Sequence, residues 1–341
     1  MSRTWHSLLI AALVLLRPVF STATTSQYET AMVNLYCQSG GGNACNVYWP
    51  MDETSGTTLV NQCPVSCGAH SPPLYDLTTH NTPTLNQSGV NSQHGPSVLF
   101  TGASSQYAEN NANDTGTGPS DMSNGNVTSG CWFKQHVVGA ATLLSVNTFG
   151  ANGNPGVNNM NWALFINNEV IFAATKAGGG TYVQVIGGTT PLIADTWYFF
   201  VNTWRLSNTT DTVYLNGTAD GNNGGVVSAP APSATEFMDL AVRSFTTDPI
   251  YATAYESDCF IFKTLWEAPT VKFFYDIGTV ATDDWPYNVK APQIPKFRNK
   301  GYEKKLVDYG YTTGLFATRT LKPPLFGLYP ALATVPSGNI R

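Results

Sequence analysis

Charged side chains are scarce in this sequence. Only 11% of its 341 residues are Asp, Glu, Lys or Arg, against roughly 25% in most soluble domains. Asn, Thr, Ser and Gly take their place, a composition that is common among secreted and cell-surface β proteins. The charges are also divided unevenly: residues 1–280 carry 8 Lys/Arg and 18 Asp/Glu, whereas residues 281–341 carry 9 and 4. A basic C-terminal segment therefore follows an acidic one.

Several patterns that would indicate a particular chemistry are absent. The glycine runs at 40–42 and 178–180 lack the strand–helix flanks that a phosphate-binding loop needs. The histidines show no pattern of a serine or cysteine triad; His70, His80, His94 and His136 fall in expected loops or at a strand end. After the N-terminus, no apolar run is long enough to span a membrane. We therefore expect no required cofactor, no nucleic-acid partner and no membrane span.

Residues 1–23 have the form of a secretory signal peptide. Arg3 supplies the positive end, residues 7–16 form an apolar run, and Ser21 and Ala23 place small side chains before a cleavage site. The alternative is a hydrophobic arm that stays on the mature protein. The signal peptide predicts a secreted or extracellular-surface protein, with a virion surface as the alternative location.

The strongest β signal lies in Trp197–Gly217. Residues 197–204 are apolar or aromatic on both alternating faces, which predicts a strand covered on both sides. A second strand is predicted at 211–215, and Asn216-Gly217 is the dipeptide of a tight type I′ hairpin. Such a unit needs further strands around it.

Short strands dominate the rest of the chain. They are predicted at 47–51, 98–100, 106–108, 131–138, 142–146, 162–166, 170–174, 182–186, 240–243 and 259–263. Residues 61–97 and 110–128 are expected to be loops, and a helical turn is expected only at 267–275. This pattern predicts an all-β sandwich.

The order of several short motifs resembles the laminin G-like, concanavalin A-like jelly-roll family. The motifs are YWPMDETSGT at 48–57, VLFTG at 98–102, CWFK at 131–134, WY at 197–198, YLNG at 214–217 and DCFIF at 258–262. The resemblance implies a two-sheet antiparallel jelly roll over residues 47–280. Residues 24–46 form a Cys-containing lead-in, and residues 281–341 form an extended, largely irregular tail rich in Pro and aromatics.

This fold hosts lectins, adhesion modules and glycanases, so function must come from side chains. The laminarinase-like glycanases that share the fold carry an E-x-D-x-x-E strand. The nearest approach here is Glu256-x-Asp258-x-x-Ile261, which lacks the last acid. Since a retaining glycanase needs two carboxylates, we expect no catalytic residues.

Calcium is possible, because many members of the family bind it through oxygen ligands at a loop edge. Asp52, Asp211 and Asp239 are the candidates, since they are expected near strand ends. Zinc is disfavoured, because Cys63-x-x-x-Cys67 has no second ligand pair.

Aromatic side chains divide into expected core and expected surface. Trp132, Trp162, Trp197 and Tyr214 occupy strand positions and are predicted to be core. Tyr182 and Tyr251 are the candidates for stacking against a sugar. Glycosylation motifs occur at Asn86, Asn113, Asn126, Asn208 and Asn216, of which Asn208 lies in an expected turn.

Six cysteines behind a signal peptide suggest disulfides. Cys131 and Cys259 stand alone on expected strands and are predicted to pair; in pentraxins, which share the fold, a cysteine matching Cys131 is bridged to a neighbouring strand, although its partner there aligns near Phe200. The remaining four are expected to pair locally (Cys37–Cys45 and Cys63–Cys67) or in a nested order (Cys37–Cys67 and Cys45–Cys63).

The sequence therefore predicts a non-catalytic secreted module that binds a glycan or a surface glycoprotein. One alternative is a structural subunit of an extracellular filament or virion appendage, in which residues 281–341 bind further copies of the chain. A weaker alternative is a glycan-degrading enzyme.

Overall fold

The computed structural model describes residues 27–37, 46–63, 75–92, 94–110, 119, 125–147, 160–176, 182–208, 210–223, 237–244 and 249–279. The expected signal peptide, the tail 281–341, Cys45, Cys67 and Asn113 lie outside these residues. None of the described helices is long and apolar enough to cross a membrane.

Two antiparallel sheets form the body of the described domain. Sheet A contains β1 (Val47–Trp49), β4 (Thr84–Gln87), β5 (Ser97–Phe100), β7 (Val127–Lys134), β12 (Tyr198–Arg205), β13 (Thr210–Leu215), β14 (Thr218–Asn223) and β18 (Ala254–Phe262). Its strand order is β14-β13-β12-β7-β18-β5-β4, and β1 also pairs with β18.

Sheet B contains β2 (Thr58–Leu59), β3 (Leu77–His80), β6 (Tyr107–Asn110), β8 (Ala141–Asn147), β9 (Met160–Asn167), β10 (Val170–Lys176), β11 (Tyr182–Gly187) and β15 (Phe237–Leu240). Its order is β11-β10-β9-β8-β15-β6-β3-β2. A separate two-stranded ribbon pairs β16 (Val242–Ser244) with β17 (Pro249–Tyr251). The chain is thus a β-sandwich, as its sequence predicts.

Strand β12 is buried on both faces. Phe200 and Trp204 face sheet B and belong to the core between the sheets, whereas Phe199 and Val201 face the opposite way. The hairpin after β13 also follows the prediction: Asn216 has φ 51° and Gly217 has φ 78°, and a type I′ turn needs positive φ at both positions.

A second core covers the outer face of sheet A. Helix α1 (Gln27–Met32) continues into a π-helical turn (Val33–Cys37), and helix α2 (Ala268–Thr279) follows β18. Their aromatic side chains stack on those of the sheet; for example, the Trp266 ring lies 4.5 Å from Phe274 and 4.9 Å from Phe260 between centroids. We call this cluster the helix-side core.

Three regions differ from the sequence-based expectations. Strands β3 and β4 lie within residues 61–97, which were expected to be a loop, and β7 begins at Val127 inside another expected loop. The helical segment 27–37 lies in the lead-in and has no counterpart in the prediction. Strands β3 and β4 are short and polar, so pairing with neighbours, rather than their own pattern, fixes them.

Two disulfides join the described residues. Cys131 is bonded to Cys259, as predicted, with Cα atoms 4.1 Å apart on the neighbouring strands β7 and β18. Cys37 is bonded to Cys63, which corrects both expected pairings of the early cysteines. The helical turn that ends at Cys37 brings its side chain against Cys63 in the helix-side core, and local spacing gave no indication of this. In the chain-entropy treatment, loops of 128 and 26 residues correspond to roughly 5 and 3.5 kcal/mol of stabilisation.

Candidate functional site

Three half-buried side chains form a small platform on the outer face of sheet A. The Lys134 Nζ lies 4.4 Å from the centroid of the Tyr255 ring and 5.2 Å from that of Trp197. The two rings are 6.5 Å apart at 62°, an edge-to-face arrangement. We call Lys134, Trp197 and Tyr255 the aromatic–lysine platform.

The sheet register brings these residues together. Lys134 ends β7 and is paired directly with Tyr255 of β18, so both side chains leave the same face of the sheet. Trp197 immediately precedes β12, whose first residue, Tyr198, pairs with Phe133. Trp132, two residues before Lys134, faces the same way and is covered by Tyr275 of α2 at 5.9 Å. The platform therefore begins where the helix-side core ends.

Trp197 is not the core residue that its sequence position indicated. It precedes β12, remains half-buried and packs only at the edge of the helix-side core. Trp132, Trp162 and Tyr214 are buried as predicted. The prediction failed because the strand begins one residue later than its aromatic pattern.

The platform has the chemistry of a shallow polar-ligand site. Two ring surfaces offer apolar contact, and the Lys134 ammonium carries up to three hydrogen-bond donors beside them. Cation–π contacts hold the ammonium over the rings without consuming those donors. A ligand with an apolar face and hydroxyl or carboxylate oxygens along its edge matches this arrangement.

The two tyrosines proposed from sequence lie elsewhere. Tyr251 is half-buried on β17, beside sheet B, with its ring 6.0 Å from Tyr107. Tyr107 in turn stacks on His80 at 4.4 Å. Tyr182 is the first residue of β11, where the sequence predicts a strand, and its side chain lies outside the described part of the chain. Neither residue belongs to the platform.

The three calcium candidates are not brought together. Among the described residues, the one trio of His, Cys, Asp or Glu side chains close enough to share a metal ion is Cys131, Glu256 and Cys259, and two of these form a disulfide. Asp52 is half-buried, whereas Asp211 and Asp239 are fully buried within strands rather than at loop edges. These positions do not fit a shared calcium site.

Burial dominates the chemistry of the two deeper acids. It raises the pKa of Asp211 to about 7, opposed by hydrogen bonds from Asn202 and the Thr212 backbone. Burial also raises the pKa of Asp239 well above its usual range, and Asn147 Nδ2 donates to one of its oxygens. In both carboxyls burial disfavours the ionised form that binds a divalent cation, so neither is a good metal ligand.

Glu256 and Asp258 do not form the carboxylate pair of a glycanase. Glu256 faces the core between the sheets, where its Oε2 lies 4.0 Å from the Cys259 sulfur, and burial raises its pKa well above the usual range. Asp258 contacts Tyr48 and His94 on the helix side. Both residues are fully buried on opposite faces of sheet A, so they cannot flank one glycosidic bond.

Asp258 instead organises a buried polar clamp. His94 Nδ1 lies 2.6 Å from Asp258 Oδ2, and His94 Nε2 lies 2.9 Å from the carbonyl oxygen of Gly278 in α2. Tyr48 and Ser257 hydroxyls also donate to Asp258. Both ring nitrogens of His94 therefore have a polar partner, one on β18 and one on α2. The side chains are 0% and 1% exposed, so the clamp is structural rather than catalytic.

Sequence reasoning missed Lys134 and Tyr255 entirely. One signal was available: Lys134 lies within the expected strand 131–138. Tyr255, however, precedes the expected strand 259–263, and the register between the two strands could not be read from the sequence. The fold also places the predicted glycosylation motifs in different environments. Asn86 is exposed on β4, whereas Asn126 Oδ1 and Asn216 Oδ1 accept backbone N–H groups, and the Asn208 side chain is outside the described residues.

No protein-family profile matches this chain, and no curated protein matches its sequence. Several solved structures resemble its fold. A Trypanosoma rangeli sialidase in complex with 2,3-difluoro-KDN shares 14% identity at a TM-score of 0.46, covering 70% of this chain and 33% of the sialidase. The binding domain of botulinum neurotoxin DC in complex with SialylT shares 12% at 0.45, covering 70% and 52%. The botulinum neurotoxin serotype D binding domain shares 14% at 0.43, covering 67% and 51%.

The chain spans only about a third to a half of the length of these structures. Likeness at this level carries no argument about ligands or activity.

Proposed function

We propose that this chain is a secreted, non-catalytic glycan-recognition module of the laminin G-like type, and that the aromatic–lysine platform is its binding site. The observation that carries the proposal is the pair of half-buried rings with the Lys134 ammonium across both. Large aromatic side chains that are partly exposed beside a cation indicate a binding surface, because the other rings of sheet A are packed under helices or the second sheet.

A sugar ring fits this surface better than a peptide does. Its C–H face can lie against Trp197 or Tyr255, while Lys134 donates to ring or exocyclic oxygens. The order of motifs along the chain, the two disulfides and the signal-peptide pattern of residues 1–23 support a secreted location. A surface glycoprotein would present the same chemistry, so we expect the platform to bind its glycan.

The proposal is tested by screening the purified protein on a glycan array and measuring the affinity of a hit by calorimetry. Trp197→Ala and Tyr255→Ala should each weaken binding about tenfold, because each removes one stacking surface. Tyr251→Ala is the matched control: it removes a half-buried tyrosine beside the other sheet and should leave affinity unchanged.

Two results would contradict the proposal. One is a loss of binding in Tyr251→Ala with full binding in Trp197→Ala, which would move the site to the face of sheet B. The other is equal affinity in all four proteins, which would exclude the platform. Circular dichroism of each variant separates lost binding from lost fold.

A further inference from the structure

Two loops lie side by side at the end of the sandwich, beyond the platform. Residues 135–140 connect β7 to β8, and residues 188–197 connect β11 to β12. The Asp195 N–H donates to the Gln135 carbonyl oxygen at 2.7 Å, and His136 Nδ1 lies 2.8 Å from Asp195 Oδ1. We call these two loops the loop tip.

Hydrogen bonds brace each loop against the sandwich. In the first, the buried Gln135 side chain bonds both the N–H and the carbonyl of Gly139. In the second, the Leu192 N–H donates to the Glu169 carbonyl and the Ile193 N–H donates to the Tyr198 hydroxyl, both at 2.8 Å. The conformation of the loop tip is therefore fixed by the fold.

Despite this bracing, the loop tip holds two aliphatic side chains in water. Val137 is 74% exposed and Ile193 is 68% exposed. In each loop the adjacent residue points inward: Val138 packs on the core between the sheets, and Leu192 is buried in it. Among the described residues, the one other exposed large hydrophobic side chain is Val60, which is only 40% exposed and lies near the edge of sheet B.

The platform and the loop tip lie at different distances from the end of the sheet. Lys134, Trp197 and Tyr255 stand at strand ends, and Val137 and Ile193 lie further out in the loops. At a membrane–water interface, aliphatic side chains lie deepest in the lipid, and aromatic rings and lysines lie one layer behind them. The loop tip and the platform follow the same order. The acid two residues after Ile193, Asp195, is paired with His136, and both side chains of this pair are exposed.

We infer that the loop tip is a peripheral membrane-contact site whose partner is a lipid surface. Two aliphatic side chains expose on the order of 200 Å², whereas a specific protein interface needs about 800 Å² per partner. Shallow insertion into lipid needs no complementary surface, so the small area is sufficient for weak, reversible partition. The inference goes beyond glycan recognition and stands without it.

The test is co-sedimentation of the full chain with phosphatidylcholine vesicles at millimolar lipid. The double variant Val137→Asn/Ile193→Asn should partition at least tenfold more weakly than the wild type, because both inserted side chains become polar. Val60→Asn is the matched control, since it makes the same change at an exposed valine away from the loop tip, and it should behave as wild type.

A gain-of-function variant covers the case in which the polar variants fold poorly. Val137→Trp should sediment more strongly, and its added fluorescence should shift to the blue and be quenched by brominated phosphatidylcholine chains. Wild-type protein that stays in the supernatant, equal sedimentation of the double variant, or an unquenched Val137→Trp would each overturn the inference. Soluble-glycan binding measured on the same variants reports on the proposed function separately.

Discussion

Replacing His94 with alanine should destabilise the domain far more than the same change at His136. Each histidine faces an aspartate at nearly the same distance, 2.6 Å for His94–Asp258 and 2.8 Å for His136–Asp195. The first pair is 0% and 1% exposed, whereas the second is 75% and 61% exposed. The two substitutions therefore compare one interaction in two environments.

The magnitude follows from what each alanine leaves behind. His94→Ala leaves the buried Asp258 side chain without its histidine partner, and breaking a buried ion pair costs about 3–5 kcal/mol. It also removes the bond to the Gly278 carbonyl and the ring that lies 4.4 Å from Tyr28. An exposed pair such as His136–Asp195 contributes about 0–1 kcal/mol.

Urea unfolding at pH 6 with the disulfides intact measures both free energies. The slope of free energy against urea should stay constant, so that the midpoint reports stability alone. His94→Ala/Asp258→Asn should recover part of the loss, because the stranded charge is gone. Equal costs for the two single alanine variants, or a cost below about 1 kcal/mol at His94, would refute the argument that the clamp fastens α2.

Three further predictions follow from buried groups and from the tail. Burial raises the folded-state pKa of Asp211 from 3.8 to about 7. Its contribution to the free energy of unfolding is therefore complete below pH 4 and falls by about 4 kcal/mol as the pH rises to 7. Asp211→Asn should flatten that decline in urea titrations, and an unchanged decline would refute the assignment. Gly278→Ala should cost about 1–3 kcal/mol, since a Cβ there would lie 2.6 Å from Trp132 Cζ2; an unaltered unfolding midpoint would contradict it. Deleting residues 281–341 should abolish concentration-dependent assembly in light scattering if the tail binds other copies, and a full-length monomer at high concentration and low salt would exclude that role.

Local signals in the sequence predicted the local structure well. The apolar residues on both alternating faces predicted that β12 is buried on both sides, and Asn216-Gly217 predicted the turn between β13 and β14. The solitary Cys131 and Cys259 lie on neighbouring strands, as predicted. Each of these depends on a pattern within a few residues or on the small number of strands available.

Features fixed by register were beyond the reach of the sequence. Lys134 and Tyr255 are 121 positions apart in the chain and face each other only because β7 and β18 pair with an irregularity after Ser257. The same limit applies to Cys37–Cys63 and to His94, whose partners come from β18 and α2. A one-residue displacement of the start of β12 was enough to move Trp197 from expected core to platform.

Helices α1 and α2 are attached to the domain in different ways, which matters when the chain is pulled from both ends. Helix α1 lies beside α2, with the Tyr28 and Phe274 rings 6.1 Å apart, so the chain enters and leaves the described domain through one face. The entering segment is covalently fastened by Cys37–Cys63, whereas α2 is held by aromatic packing and the Gly278 carbonyl. Tension between the two ends would therefore strip the entering segment no further than Cys37, whereas no disulfide among the described residues stops it at α2.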